Sequence, residues 1–291
     1  MRSLLFVPGD SEKKLAKGFG SDADVLLVDL EDSVSADNKA AARALAREFI
    51  LAERARTRAR IFIRVNDLAT GETDRDLDGI MAAHPDGIML PKCTGFADVE
   101  QLSTKLRVHE ADNGLKDGAT RIIPLITETA ASVLAASSYR PHARFSGITW
   151  GSEDLSASIG ARAARDGNGQ YTDVFRLARA LTLLAASASE VPAIDTVFPN
   201  FRDEDGFRAE CVAAERDGFT SKMAIHPAQV VVINEVFTPT AEAVARSQAI
   251  VDAFRAAGNP GVVAIDGKMY DRPHLRLAER LLARAAQTKA G

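Results

Sequence analysis

The stretch DVLLVDL (Asp24–Leu30), followed by KAAARALAREFILAE (Lys39–Glu53) and IFIRVN (Ile61–Asn66), decides the fold. Two short apolar runs of strand length flank an amphipathic stretch of helix length. The runs are nearly continuous rather than alternating, as in parallel strands covered on both faces. Outward from this unit, further strands are read at Ser3–Val7, Gly87–Pro91, Arg121–Thr127, Phe145–Trp150, Ala193–Phe198 and Thr220–Ile225. Helical stretches such as Val99–Glu110 and Asp173–Ser189 lie between them. Eight strand–helix alternations predict an α/β (β/α)8 TIM barrel, with a doubly wound open sheet as the rival. Residues 1–237 are assigned to the barrel and 238–291 to a helical C-terminal extension. There Pro239 breaks the pattern, Ala241–Ala257 and Leu275–Ala286 read as helices, and Val262–Tyr270 is a short segment between them. The extension is expected to cap the barrel or reach a neighbouring subunit. The polar stretch Gly160–Tyr171 reads as a mobile loop.

The composition excludes several classes. A chain of 291 residues that is 46% hydrophobic and 26% charged, with net charge −4, has an ordinary folded profile. Its 36 basic and 40 acidic residues provide no concentrated positive field, so nucleic acid is not an expected partner. Cys93 and Cys211 make neither a disulfide framework nor a zinc cluster, and both read as buried thiols. The first apolar run stops at Pro8 and Gly9, and no run reaches the ~18 residues of a membrane span. The expectation is a cytoplasmic protein.

In a TIM barrel the chemistry sits where the strands end. Asp29, Glu31 and Asp32 end the second apolar run, Arg64 and Asn66 the third, Lys92 the fourth, and Thr127 and Glu128 the fifth. Glu153 and Asp154 follow the sixth, Asn200 the seventh and His226 the eighth. Two carboxylates without nearby His or Cys suit a hard cation such as Mg²⁺, which keeps waters and open positions. Glu128 and Asp154 are the candidate pair; the competing reading makes TET and SED ordinary helix-start residues. Arg64 either binds substrate or balances barrel carboxylates. Alternation puts Asp29 and Glu31 on one face, where either can bind Arg64 or a metal-bound water, and Glu31 is taken as a catalytic candidate. His226 reads as structural. Lys13 and Lys17 share a helix face beyond the first strand and suit phosphates, or form a solvated lysine face.

The chain resembles the HpcH/HpaI aldolase–citrate lyase family, in its citrate lyase β-subunit-like branch. The matching landmarks are LLFVPGD (Leu4–Asp10), VDLEDSV (Val28–Val34), IRVN (Ile63–Asn66), IMLPK (Ile88–Lys92), ITETA (Ile126–Ala130), WGSEDLS (Trp150–Ser156), AIHPAQ (Ala224–Gln229) and DGKMYD (Asp266–Asp271). They run in family order over nearly the whole chain.

The resemblance implies a TIM-type barrel, trimeric or a dimer of trimers. It implies Mg²⁺ on Glu128 and Asp154, substrate binding by Arg64 and Glu128, and coenzyme A contacts at Phe6, Lys13 and Lys17. It also implies a catalytic lid acid, Asp271, given to a neighbour's site. Ser33 and Tyr270 depart from the usual pattern, where small and aliphatic residues stand. The activity implied is retro-Claisen cleavage of a malyl-, citramalyl- or citryl-CoA-type thioester to acetyl-CoA and a 2-oxo acid. Three alternatives remain: the β subunit of an acyl-carrier-dependent citrate lyase, a malyl-CoA thioesterase or malate-synthase-like enzyme, and a silent scaffold.

Overall fold

The computed structural model describes residues 1–290, and side chains through residue 286. Eight parallel strands form its centre: β1 (Ser3–Pro8), β2 (Val25–Asp29), β3 (Arg60–Arg64), β4 (Gly87–Leu90), β5 (Arg121–Pro124), β6 (Ile148–Thr149), β7 (Ala193–Asp195) and β8 (Ser221–Ala224). Their order is β5-β4-β3-β2-β1-β8-β7-β6. The open ends meet through isolated bridges, Ile122 with Phe145 and Leu125 with Thr149. Backbone bonds Ser146 N–H to Ile122 O and Ile126 N–H to Thr149 O, both 3.0 Å, cross this seam. The sheet is therefore a TIM-type barrel rather than an open one.

Alternation divides the strand residues between two cores. Leu4, Val25, Leu27, Phe62, Met89, Ile123, Leu125, Ile194 and Met223 form one cluster, the filling of the barrel. Their neighbours Leu5, Leu26, Val28, Ile61, Ile63, Ile88 and Ile122 pack outward under the helices. Both faces are buried, hence the continuous apolar runs. Strand β6 is shorter than the sequence reading. At Gly147 a Cβ would lie 2.7 Å from Ile194 Cδ1, so the backbone passes too close to β7 for a side chain. Phe145 turns aside to pack near Phe96 and His142.

The extension has its own small core of Ile250, Phe254, Val263, Tyr270, Leu275 and Ala278. It comprises the helix Ala241–Ala256, a hairpin of β9 (Val262–Ile265) and β10 (Lys268–Asp271), and the helix Arg272–Ala290. Asp266 and Gly267 turn the hairpin, both left-handed, at φ 49° and 74°. The last helix starts at Arg272 rather than Leu275, because Pro273 is tolerated in a first turn. The Gly160–Tyr171 segment closes on itself through an Arg165–Tyr171 bridge and is tied to the body by Arg165, 2.6 Å from Glu210, and by the Tyr171 ring, edge-on to Trp150 with centroids 5.1 Å apart. Cys93 and Cys211 are free and buried. Among the described residues, no helix is long and apolar enough to cross a membrane.

Candidate active site

Asp29 ends β2 beside Arg64, which ends β3; the two are register partners. The guanidinium grips the Asp29 carboxylate with Nε at 2.8 Å and Nη2 at 2.7 Å. Its Nη1 lies 2.8 Å from Glu31 and 3.3 Å from Asp32. The ring of Phe6 lies below, 4.9 Å from the guanidinium carbon. Such a two-pronged, charge-assisted grip fixes orientation as well as charge. Asp29 also accepts from the N–H groups of Glu31 (2.9 Å) and Ser33 (3.2 Å). Burial alone would raise its pKa, but Arg64, Ser33 and the Glu31 N–H together outweigh burial and hold the carboxyl below the usual range. Arg64 thus balances carboxylates, as one sequence reading held, and does so at the barrel mouth.

Lys92 binds the site together in a way its position at a strand end did not disclose. It is left-handed at φ 48°, an unusual state for a residue with a side chain. Its backbone N–H donates to Glu128 Oε2 and its ammonium pairs with Glu31. The same ammonium lies 3.5 Å from Asp32 and 3.6 Å from Asp154. The candidate metal pair and the β2 acids therefore share one neighbourhood. Glu153, by contrast, accepts from Ser152 Oγ at 3.1 Å and leaves the cluster to Asp154.

Five carboxyls, those of Asp29, Glu31, Asp32, Glu128 and Asp154, thus meet two cations. The imbalance shows in titration. Burial pushes Glu31 up to about 7 against the pull of Arg64 and Lys92. Burial, reinforced by the like charges of Asp154 and Glu31, raises Glu128 well above the usual carboxylate range. A carboxyl titrating near neutrality can take and return a proton at working pH. Among the described residues no cation forms an ion pair with the buried Glu128, and the donor set is all oxygen. That fits Mg²⁺, which needs only one or two carboxylates beside water and substrate oxygens. No group of three or more His, Cys, Asp or Glu suited to a metal occurs among the described residues, so no all-protein cage is present. The helix-start reading holds for Thr129, whose hydroxyl caps the helix Ala130–Leu134, and for Glu153 and Asp154, which lie in the first turn of the helix Glu153–Ile159, but not for Glu128.

The other predicted residues lie apart. Lys13 and Lys17 are exposed on the helix Glu12–Phe19. His226 is structural: its Nδ1 accepts from Ala228 N–H at 3.2 Å and its ring stacks on Phe201. Asn200 is exposed in the turn after β7. Asp271 is partly exposed in the extension, and its partner is local: His274 Nδ1 at 2.5 Å. That hydrogen bond holds the Asp271 carboxyl below its usual range. Tyr270 packs edge-on to His274 within the extension core.

A second charged cluster went unseen in the sequence. Asp195 and Lys222 are register partners on β7 and β8, facing outward opposite Ile194 and Met223. Lys222 is fully buried, 3.0 Å from Asp195 and 2.9 Å from Glu210, and donates to Thr196 O at 2.7 Å. Trp150 Nε1 and Arg179 also donate to Asp195, at 2.8 and 3.2 Å. Arg165 reaches Glu210 at 2.6 Å, and Arg179 reaches Asp217 at 2.8 Å.

The family model described as HpcH/HpaI aldolase/citrate lyase matches residues 2–227. The chain belongs to this family. Family relatives similar to it over nearly its full length act on coenzyme A thioesters. A (3S)-malyl-CoA thioesterase of Cereibacter sphaeroides is 33% identical, covering 98% of this chain and 94% of its own. The mitochondrial citramalyl-CoA lyase of Rattus norvegicus is 31% identical, covering 99% and 87%. The crystal structure of CitE from Mycobacterium tuberculosis, in complex with magnesium, acetoacetate and coenzyme A, superposes with a TM-score of 0.78 at 32% identity, covering 98% of both chains.

Proposed function

We propose that this family member is a Mg²⁺-dependent carbon–carbon lyase. It splits a 3-hydroxyacyl-CoA that carries a carboxylate on the hydroxyl carbon into acetyl-CoA, or a homologue, and a 2-oxo acid. The observation that carries the reading is the barrel mouth, where Arg64 and Lys92 are set among Asp29, Glu31 and Asp32 beside the Glu128–Asp154 pair. Glu128 and Asp154 would hold the metal, which supplies Lewis-acid stabilisation to substrate oxygens that gain negative charge. The magnesium-bound structure of CitE supports that assignment.

The chain's own residues do the rest. Arg64 directs fixed donors at the hydroxyl-bearing end of the substrate; losing such a donor typically costs 10²–10³ in rate. Glu31, poised near neutrality, takes the hydroxyl proton as the carbon–carbon bond breaks. The electron pair of that bond becomes the thioester enolate, and a proton returns to its carbon. We assign that last proton to Asp271 of a neighbouring subunit in a homotrimer, because its partners in its own chain lie in the extension. The Asp271 carboxyl takes the proton up from water as it leaves His274 and closes over the site. Phe6, Lys13 and Lys17 are assigned to coenzyme A, with the two exposed lysines meeting phosphates. Residues 1–237 then act as the catalytic barrel and 238–291 as the lid.

The similarity to a (3S)-malyl-CoA thioesterase favours a second reading, net hydrolysis to the free hydroxy acid and coenzyme A. One assay separates the two. Malyl-, citramalyl- and citryl-CoA are each incubated with enzyme and Mg²⁺. The lyase releases glyoxylate, pyruvate or oxaloacetate with acetyl-CoA and no free thiol. Free thiol with no oxo acid would select the thioesterase, and neither product from any substrate would reject both.

A further inference from the structure

The loop that leaves β2 carries Glu31 and Asp32, and both ends of its dipoles are gathered. On one side, the N–H groups of Glu31 and Ser33 converge on the Asp29 carboxylate. On the other, the carbonyls of Leu30, Glu31 and Val34 converge on one ammonium, that of Lys39, at 2.9, 3.0 and 3.3 Å. Asn66 Nδ2 adds a second donor to Leu30 O at 3.1 Å. An ammonium has three N–H donors and no acceptor, so three carbonyls use its full capacity.

The position of Lys39 needs such a cause. It is the first residue of the helix Lys39–Glu53, where the helix dipole disfavours a cation. The three carbonyls supply the opposing charge. They also draw the ammonium toward the loop rather than into solvent. The hydrogen bonds of Lys39 go to the backbone that presents the acidic partners of Arg64 and Lys92.

We propose that Lys39 is a positioning residue that locks the β2 loop so that Glu31 and Asp32 meet Arg64 and Lys92 at the barrel mouth. Its catalytic consequence rests on the functional reading above, whereas its hold on the loop does not.

The experiment replaces Lys39 in the full chain and reads both. In Lys39→Met, amide hydrogen exchange across residues 31–35 should speed up at least tenfold, while the strands keep their protection. With the thioester that the wild type turns over, kcat should fall about a hundredfold, the scale of a small misplacement of reacting groups, with KM nearly unchanged. Lys39→Cys alkylated with 2-bromoethylamine restores an ammonium at matching length and should recover both loop protection and kcat. Wild type treated alike is the control, since Cys93 and Cys211 are buried. Lys39→Arg, which keeps the charge but not the three-way geometry, serves if the Met variant does not fold and should show an intermediate loss.

Unchanged exchange in the folded Met or Arg variant overturns the proposal. So does unchanged kcat, or an alkylated variant that folds and stays impaired. If the wild type turns over no thioester, the functional reading falls, and the exchange data alone still decide the role of Lys39.

Discussion

At the barrel mouth five carboxyls meet two cations, whereas outside β7 and β8 the acids Asp195, Glu210 and Asp217 meet the cations Lys222, Arg165 and Arg179. Both clusters bury charge, yet Glu31 and Glu128 at the mouth titrate in the opposite direction to Asp195. Burial would raise Asp195, but Lys222, Arg179 and the Trp150 N–H together outweigh it and hold the carboxyl below its usual range. Burial would lower Lys222, and Asp195 with Glu210 instead raises it. Glu31 and Glu128 at the mouth are pushed up. A matched buried network is a structural fastening. A mismatched one is costly to fold and persists where something else, a ligand or a proton, completes it. The second cluster ties the pinned loop, two strands and two helices together, and nothing in it is short of a partner of opposite sign.

The largest expected effects pull the two clusters apart. Glu128→Gln should lower turnover about a thousandfold and abolish saturable Mg²⁺ binding by calorimetry, since it removes a charged oxygen donor. Its melting temperature without metal should stay level or rise, because a disfavoured buried charge is gone. Asp195→Asn should do the reverse. It leaves Lys222 buried without its nearest acid on the sheet, a change that typically costs about 3–5 kcal/mol in urea unfolding. Equal destabilisation by the two substitutions would erase the distinction.

A smaller effect appears in pH. The Glu31 carboxyl binds its proton more tightly folded, at about 7, than in a free chain, near 4.5. Across that window the unfolded chain carries fewer protons at this residue, so the contribution of Glu31 to stability falls as pH rises and levels off above about 7. Asp195 behaves oppositely, contributing stability above the usual carboxylate range and losing it in acid. The stability of wild type minus that of Glu31→Gln, measured by urea unfolding without divalent cation, should therefore decline from pH 4.5 to 7. A flat difference would mean that Arg64 and Lys92 already match Glu31.

The distance between these clusters and the sequence is instructive. The barrel was legible because burial on both strand faces writes continuous apolar runs, and those runs need no partner to be recognised. Arg64, Glu128 and Asp154 were legible because strand ends are where a barrel collects polar groups. Lys39 was not, since its partners are backbone carbonyls, which have no letter in the sequence. Asp195 and Lys222 stand 27 residues apart and meet only through the β7–β8 register. Lys92 was visible as a strand-ending cation, but its left-handed backbone, which turns its N–H onto Glu128, was not. The loop Gly160–Tyr171 looked free because glycine and polar residues dominate it; Arg165 and Tyr171 anchor it instead.

The smallest effect belongs to the exposed lysines. Replacing Lys13 and Lys17 together with Ala should raise KM for a coenzyme A thioester severalfold, as expected for exposed, screened charges. Neither kcat nor melting temperature should change, and a pantetheine thioester, which lacks the nucleotide, should be indifferent. Equal loss on both substrates would place the lysines in the same category as the mouth, not at its rim.

The seam between β5 and β6 gives the mouth a mechanical side. Elsewhere the ring is stitched by continuous ladders, but this join has isolated rungs. Glu128 follows β5 and Asp154 follows β6, so the two stand on opposite banks of the join. An ion gripped by both, as proposed, would act as a clasp on a hoop, fastening it at its thinnest stitch. Loading the site and keeping the hoop shut would then be one equilibrium, in which each strengthens the other. The join with isolated rungs is also the place where such an ion would hold the barrel closed.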